Sequence, residues 1–181
     1  MILAIDIGNT NIVLGCFDDD NIILRERIST NHTATTIEYA ATIKTAFEMH
    51  GIDRKEVTGA IISSVVPAVT NTVKSAIERF LGIDVLVIGP GIKTGLSIVI
   101  DNPSQLGSDL VVDAVAGLNE YPVPMIIIDM GTATTVSVIN SQKEYIGGMI
   151  VPGLAISHDA LIGKTSQLSK IALEKPKKVI G

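Results

Sequence analysis

The feature that most restricts the fold of this chain is an internal repeat. Residues 2–10 read ILAIDIGNT and residues 125–133 read MIIIDMGTA, so that Asp6 matches Asp129 and a glycine follows two positions later in each copy. Each copy is an apolar strand, an Asp-x-Gly turn and then a second apolar segment. A chain that repeats such a unit is expected to fold as two similar halves.

The periodicity of apolar residues predicts the order of elements in each half. In residues 1–117, three antiparallel strands precede a helix, a strand, a helix and a strand, which gives the order βββαβαβ. The second half, residues 118–181, restarts with three strands and a helix over 153–163 but lacks the later strands. The predicted class is α/β with duplicated halves, the second incomplete. We therefore expect a fragment of a longer protein, or a chain that another polypeptide completes.

The composition favours a small-molecule partner and a cytoplasmic location. Fourteen Lys and Arg against nineteen Asp and Glu give a net charge of −5 with no basic cluster, so we expect no nucleic-acid partner. The longest uncharged run, residues 57–73, is rich in hydroxyl groups and contains Pro67, so we expect no membrane span. The N-terminus lacks the basic region of a signal peptide, and the lone Cys16 indicates a reducing compartment.

The two Asp-x-Gly turns favour a phosphate-binding site. Gly8 and Gly131 would let backbone N–H groups approach a phosphate, and the threonines that follow would add hydroxyl donors. Asp6 could hold Mg²⁺ or its waters, and Asp129 could hold a second cation. The alternative is two ordinary hairpin turns, because Asp, Gly and Asn are common turn residues. The repetition in the same strand context favours phosphate binding.

Two further segments have alternatives that the residues alone leave open. Asp109 is the candidate general base, because it lies at a helix start from which a carboxylate could project into a cleft between the halves. The alternative is a helix cap, a role that suits both Ser108 and Asp109. The glycines of residues 147–153 indicate either backbone that approaches a ligand or partner, or a plain strand-to-helix turn.

Five segments, taken in order, resemble type III pantothenate kinase. They are Asp6 to Asn11, Ser63 to Pro67, Asn102-Pro103 with Gly107 to Asp109, Asp129 to Thr134, and Gly147-Gly148 with Pro152-Gly153. The resemblance extends from the first residue to about residue 168. It implies an actin-like (ribonuclease H-like) ATPase fold. It also implies ATP-dependent phosphorylation of the primary hydroxyl of pantothenate to 4'-phosphopantothenate, the first step of coenzyme A biosynthesis.

The resemblance also implies roles for individual residues. Contacts with the ATP phosphates fall to Asp6, Ile7, Gly8, Asn9, Thr10, Asn11, Ile12, Val13 and Thr132. Contacts with pantothenate fall to Ile100, Gly107, Ser108, Asp109 and Leu110. Asp109 would be the proton acceptor, and Asp129 would bind a monovalent cation, K⁺ or NH₄⁺. The cofactors implied are ATP with Mg²⁺ and this cation, and the implied assembly is a homodimer.

Two departures from the family pattern bear on function. The family commonly has Arg directly after the catalytic Asp, whereas this chain has Leu110. The family also continues beyond the point that corresponds to Gly181, with further strands and helices that complete the nucleotide site. Two alternatives therefore stay open at this point, namely another small-molecule kinase or phosphatase of the actin-like superfamily, and a non-catalytic regulatory or binding relative.

Overall fold

The computed structural model describes residues 1–180, so Gly181, the last residue of the predicted second half, lies outside the described residues. Within this range the chain forms nine strands and four α-helices. Their order is β1 (Ile2–Ile7), β2 (Asn11–Asp18), β3 (Asn21–Ser29), α1 (Thr36–Met49), β4 (Gly59–Ser64), α2 (Pro67–Leu81), β5 (Val85–Val87), β6 (Ser97–Ile98), α3 (Ser108–Glu120), β7 (Met125–Met130), β8 (Ala133–Ile139), β9 (Glu144–Pro152) and α4 (Leu154–Lys164).

The first sheet has five strands in the order β3-β2-β1-β4-β5. β1, β2 and β3 form an antiparallel meander, and β4 and β5 run parallel to β1. The parallel pairs need long crossover connections, which α1 and α2 provide. The predicted three opening strands and the order βββαβαβ of the first half are therefore confirmed.

The main hydrophobic core lies between one face of the first sheet and the helices α1 and α2. Alternate residues of β1 and β2, among them Leu3, Ile5 and Ile12, point into this core together with residues of both helices. The helices meet through Phe47 and Phe80, whose rings pack edge to face with centroids 5.2 Å apart. The opposite face of the sheet borders a cavity that Val112, a residue in the stretch 108–120, also lines.

The second sheet has four strands in the order β6-β9-β8-β7. β7, β8 and β9 repeat the antiparallel meander of β1 to β3, as the internal repeat predicts. β6 has only two residues, and it pairs in parallel with β9. A small core around Ala114, Ile139 and Tyr145 joins α3 to this sheet.

The two remaining helices begin close to where the sequence predicts them. α3 begins at Ser108, directly after Gly107, and α4 occupies nearly the whole of the predicted range 153–163. From Thr165 to Ile180 the chain forms no helix or strand. The division of the halves between residues 117 and 118 stays a prediction. Within residues 1–180, no helix combines the length and the apolar character that crossing a membrane requires.

Candidate active site

The first predicted phosphate loop is the three-residue turn between β1 and β2, and three hydrogen bonds hold it. The Gly8 N–H donates to the Asn11 carbonyl at 2.9 Å, and the Thr30 N–H donates to the Thr10 carbonyl at 3.0 Å. The Thr30 hydroxyl donates to the Gly8 carbonyl at 2.6 Å. Sequence reasoning missed Thr30, although its position directly after the third strand of the meander was a usable signal.

The second predicted loop is the turn between β7 and β8, and it lies against the first. The Gly131 N–H donates to the Ala133 carbonyl at 3.0 Å, and the Gly153 N–H donates to the Thr132 carbonyl at 3.1 Å. The hydroxyls of Thr10 and Thr132 are hydrogen-bonded to each other at 2.7 Å. The structure therefore brings together the two turns that the sequence places 122 residues apart.

The nine residues predicted to contact ATP phosphates do not all present their side chains at this site. Ile7 and Ile12 are fully buried in the main core, so neither presents its side chain to a ligand. The exposed members of the set are Asp6, Asn9, Thr10 and Thr132, and the partly exposed ones are Gly8, Asn11 and Val13. The chemistry available to a phosphate here is therefore that of hydroxyls, an amide and backbone N–H groups.

Four carboxyl groups from both halves act on one another electrostatically beside the loops. Although Asp6 is exposed overall, desolvation of its carboxyl group by neighbouring atoms raises its pKa, and the negative charges of Asp109 and Asp129 raise it further, while a hydrogen bond from Ser63 acts in the opposite direction. Burial raises the pKa of Asp113 to about 6, with further contributions from Asp129, Asp109 and Asp6. Sequence reasoning missed Asp113, which lies one helical turn after Asp109 on α3.

Neither Ser108 nor Asp109 is the N-cap residue of α3, although the Asp109 carboxylate accepts one backbone N–H of the first turn. The N-cap residue of α3 is Gly107, which has no side chain to cap the helix. The Ser108 hydroxyl donates to the Ser64 carbonyl at 2.9 Å and accepts from the Ser64 N–H at 3.0 Å, which ties α3 to the end of β4. One carboxylate oxygen of Asp109, Oδ1, accepts from the Leu110 N–H at 2.9 Å.

Three of the five predicted pantothenate contacts line cavities, and these three divide between two different ones. Ile100 and Leu110 line the same cavity of about 470 Å³, which also borders the glycines of β9. Ser108 lines a different cavity of about 450 Å³, beside the loop that follows β5. Leu110 is only 8% exposed, so its side chain closes the wall of the first cavity rather than projecting into solvent.

The donor set at the site suits hard cations. Carboxylate and hydroxyl oxygens are the ligands that Mg²⁺ and K⁺ prefer, and Asp129 lines a third cavity of about 610 Å³ together with Asp113. In the described part of the chain, no three Asp, Glu, His or Cys side chains converge closely enough to hold one metal ion. Mg²⁺ commonly uses only one or two carboxylates together with substrate phosphates, so the residues present fit a cation that arrives with a nucleotide.

A family model and the curated relatives of this chain indicate the same protein family. A family model described as type III pantothenate kinase matches residues 2–181. A type III pantothenate kinase from an Exiguobacterium species (strain AT1b) is 46% identical over all of this chain and 71% of its own length. The corresponding protein from Halalkalibacterium halodurans is 43% identical, again over all of this chain and 71% of its own length.

A solved structure shares the fold. A Campylobacter jejuni protein described as a Baf family transcriptional activator is similar over 96% of this chain and 68% of that one, with a TM-score of 0.51 and 18% identity. At that identity the likeness concerns the fold alone.

Proposed function

Since the chain belongs to the type III pantothenate kinase family, we propose that its two loops and Asp109 together phosphorylate pantothenate with ATP. The reaction transfers the terminal phosphoryl group of ATP to the primary hydroxyl of pantothenate, in coenzyme A biosynthesis. The predicted family, the kinase activity and the actin-like ATPase fold with duplicated halves are confirmed. The Campylobacter jejuni protein shares only the fold, and so gives no support to a regulatory role.

The observation that carries the proposed site is the contact between the two loops. Thr10 and Thr132 come from different halves, and their hydroxyls lie 2.7 Å apart, so a phosphate group beside them would be within reach of both loops. Gly131 has no positive φ, and a Cβ added there would be 3.5 Å from its nearest neighbour, an ordinary contact. The protein's own packing therefore does not require glycine at 131, whereas close approach of a phosphate does.

Asp109 is proposed to accept the proton of the pantothenate hydroxyl. Its Oδ1 already accepts the Leu110 N–H, which orients the carboxylate and leaves Oδ2 for the substrate hydroxyl. The Ser108 hydrogen bonds to β4 hold the start of α3, and with it Asp109, beside the first half. Most of the rate acceleration would come from holding the hydroxyl in line with the phosphoryl group.

The wall formed by Ile100 and Leu110 is proposed to hold the apolar part of pantothenate. Both residues line the cavity that borders β9, and neither carries a charge. Because Leu110 stands where the family commonly has Arg, the substrate carboxylate would lack a cation at this position. Gly107 and Ser108 would contribute backbone contacts at the start of α3.

We propose that Asp6 holds Mg²⁺ and Asp129 holds K⁺ or NH₄⁺. A cation bound here supplies positive charge that offsets the negative charge of the phosphates during transfer. The proposal is supported by the carboxyl groups of Asp6, Asp109, Asp113 and Asp129, whose mutual repulsion a cation would relieve. The proposed homodimer and cytoplasmic location rest on the family resemblance and on the single buried Cys16.

The direct test is an assay of phosphopantothenate formation with ATP, Mg²⁺ and K⁺, read by mass spectrometry. Asp109→Asn keeps the shape of the side chain but cannot accept the proton, so we expect turnover to fall by about 100-fold or more. Asp84→Asn, an exposed carboxylate far from the site, is the matched control and should leave turnover within twofold. Equal activity of the two variants would overturn the role of Asp109.

A further inference from the structure

The glycine-rich segment that ends β9 is the one motif that the proposed reaction does not explain. Gly147 adopts a φ of 154°, which favours glycine, and a Cβ at Gly148 would come within 2.7 Å of the Tyr145 hydroxyl. Gly153 is buried and forms the N-cap of α4. Each of these three glycines therefore meets a requirement within the protein itself, and Gly153 is the one that reaches the second loop.

Gly153 and Thr30 occupy the same place in the two halves. Each is the first residue after the third strand of its meander, and each lies 123 positions from the other, the same offset that separates Asp6 from Asp129. The Thr30 N–H donates to the Thr10 carbonyl, and the Gly153 N–H donates to the Thr132 carbonyl. The backbone bond that supports the loop threonine is thus duplicated along with the fold.

The two positions differ in the space beside the loop. At Thr30 a full side chain fits, and its hydroxyl bonds to the Gly8 carbonyl. At Gly153 an added Cβ would overlap the carbonyl oxygens of Gly131 and Thr132 and would lie 2.8 Å from the Thr132 carbonyl carbon. These are backbone atoms, so no side-chain rotation can relieve the overlap.

The backbone conformation at position 153 does not require glycine, but the length of the second loop does. Gly153 has φ −65° and ψ 168°, which any residue adopts. Residues 8–10 separate β1 from β2, whereas only residues 131–132 separate β7 from β8. Where the shorter second turn meets the end of its third strand, no room is left for a side chain.

We propose that Gly153 is a positioning residue: the lack of a side chain at 153 lets the second loop seat against β9 so that the Thr132 hydroxyl reaches Thr10. The consequence for phosphate binding rests on the proposed function. A methyl group at 153 would force the loop or the β9–α4 junction to move by a few tenths of an ångström or more. Misplacement on the order of 1 Å can lower a rate by about 100-fold.

The test compares Gly153→Ala with Gly163→Ala. Gly163 also belongs to the segment around α4, but a Cβ there meets nothing within 4 Å, so its substitution should be silent. Amide NMR spectra of both variants report loop position without any ligand. We expect the resonances of Thr10 and Thr132 to shift in Gly153→Ala and to stay in place in Gly163→Ala.

Kinetic and binding measurements then separate positioning from general damage. For Gly153→Ala we expect kcat/KM for ATP to fall about tenfold or more while KM for pantothenate changes less than twofold. Titration with a non-hydrolysable ATP analogue and Mg²⁺ measures the loss of nucleotide affinity without turnover. If the parent protein binds no nucleotide, the proposed function fails, but the NMR shifts still decide the role of Gly153.

A compensating variant covers the case in which Gly153→Ala folds poorly. Inserting one glycine between Gly131 and Thr132 gives the second loop the length of the first and should make room for the methyl group. Recovery of folding, or of the parent positions of the loop resonances, by the insertion supports the proposal. Unchanged loop resonances in Gly153→Ala, or no recovery from the insertion, would overturn it.

Discussion

Ile5 and Ile128 occupy equivalent positions in the two halves, yet Ile5 is 2% exposed and Ile128 is 60% exposed. Both lie in the first strand of a meander, one residue before the repeated aspartate, and each pairs with an apolar residue of the next strand. The difference arises because α1 and α2 cover the face that contains Ile5. The corresponding face of the second sheet also exposes Ile126 and Met130.

This contrast predicts very different costs for the same substitution. Ile5→Ala removes a well-packed core side chain and should lower the free energy of unfolding by about 2–4 kcal/mol. Ile128→Ala removes a side chain that is already largely in water, so its cost should stay below about 0.5 kcal/mol. Urea unfolding of both variants, followed by circular dichroism, measures the difference. Similar midpoints for the two variants would mean that Ile128 is covered in solution.

The contact between the loops gives a second prediction. Thr132→Val keeps the shape of the side chain but removes its hydroxyl, so the bond to Thr10 and a proposed phosphate donor are both lost. We expect KM for ATP to rise about tenfold, with KM for pantothenate nearly unchanged.

A double-mutant cycle with Thr10→Val is the sharper measurement. Because the two hydroxyls are bonded to each other, the effects of the single substitutions should not add in the double variant. Thr45→Val on α1, which removes an exposed hydroxyl bonded only to its own helix, is the control and should leave KM unchanged. Additive effects of the two loop substitutions would show that the hydroxyls act independently.

The repeat made much of the fold predictable from the sequence. Asp6 and Asp129 mark the same point in two meanders, and matching one copy against the other predicts that both loops belong to one site. Local signals also placed the helices well. Pro67 occupies the first position of α2, where proline is favoured, and Gly107 directly precedes α3.

The parts that sequence reasoning missed depend on tertiary contacts. β6 has only two residues, and its pairing with β9 depends on a register between distant segments that no local pattern shows. From the sequence, Asp113 is an ordinary polar residue of an amphipathic helix. Only the folded structure brings it close to Asp6 and Asp129. Thr30 and Gly153 have different side chains, so the repeat indicates their equivalence only through position, and the structure is needed to show their common backbone hydrogen bond.

The hydrogen bonds of Ser108 give a third prediction. Ser108→Ala leaves the N–H and the carbonyl of Ser64 without these partners, and loss of such bonds costs about 1–3 kcal/mol when the groups are partly buried. Because Asp109 follows directly, we expect kcat to fall more than KM for ATP changes. Ser104→Ala, which removes an exposed hydroxyl from the preceding turn, should change neither stability nor kcat. Equal behaviour of the two serine variants would contradict the anchoring role of Ser108.

The last prediction concerns Asp113, whose pKa burial and the nearby carboxylates raise to about 6. The unfolded chain releases this proton near pH 4, so between about pH 4 and 6 the folded state binds more protons than the unfolded state. Stability should therefore fall as pH rises through this window, and Asp113→Asn should remove that loss. We expect the variant to gain about 1 kcal/mol at pH 7.5, after allowance for solvent screening, and to match the parent below pH 4. Urea unfolding of the parent and Asp113→Asn at pH 7.5 and below pH 4, in Mg²⁺-free buffer, measures this gain in stability. Asp84→Asn is the exposed control. A gain of the same size at both pH values would show that charge on Asp113 is not the cause.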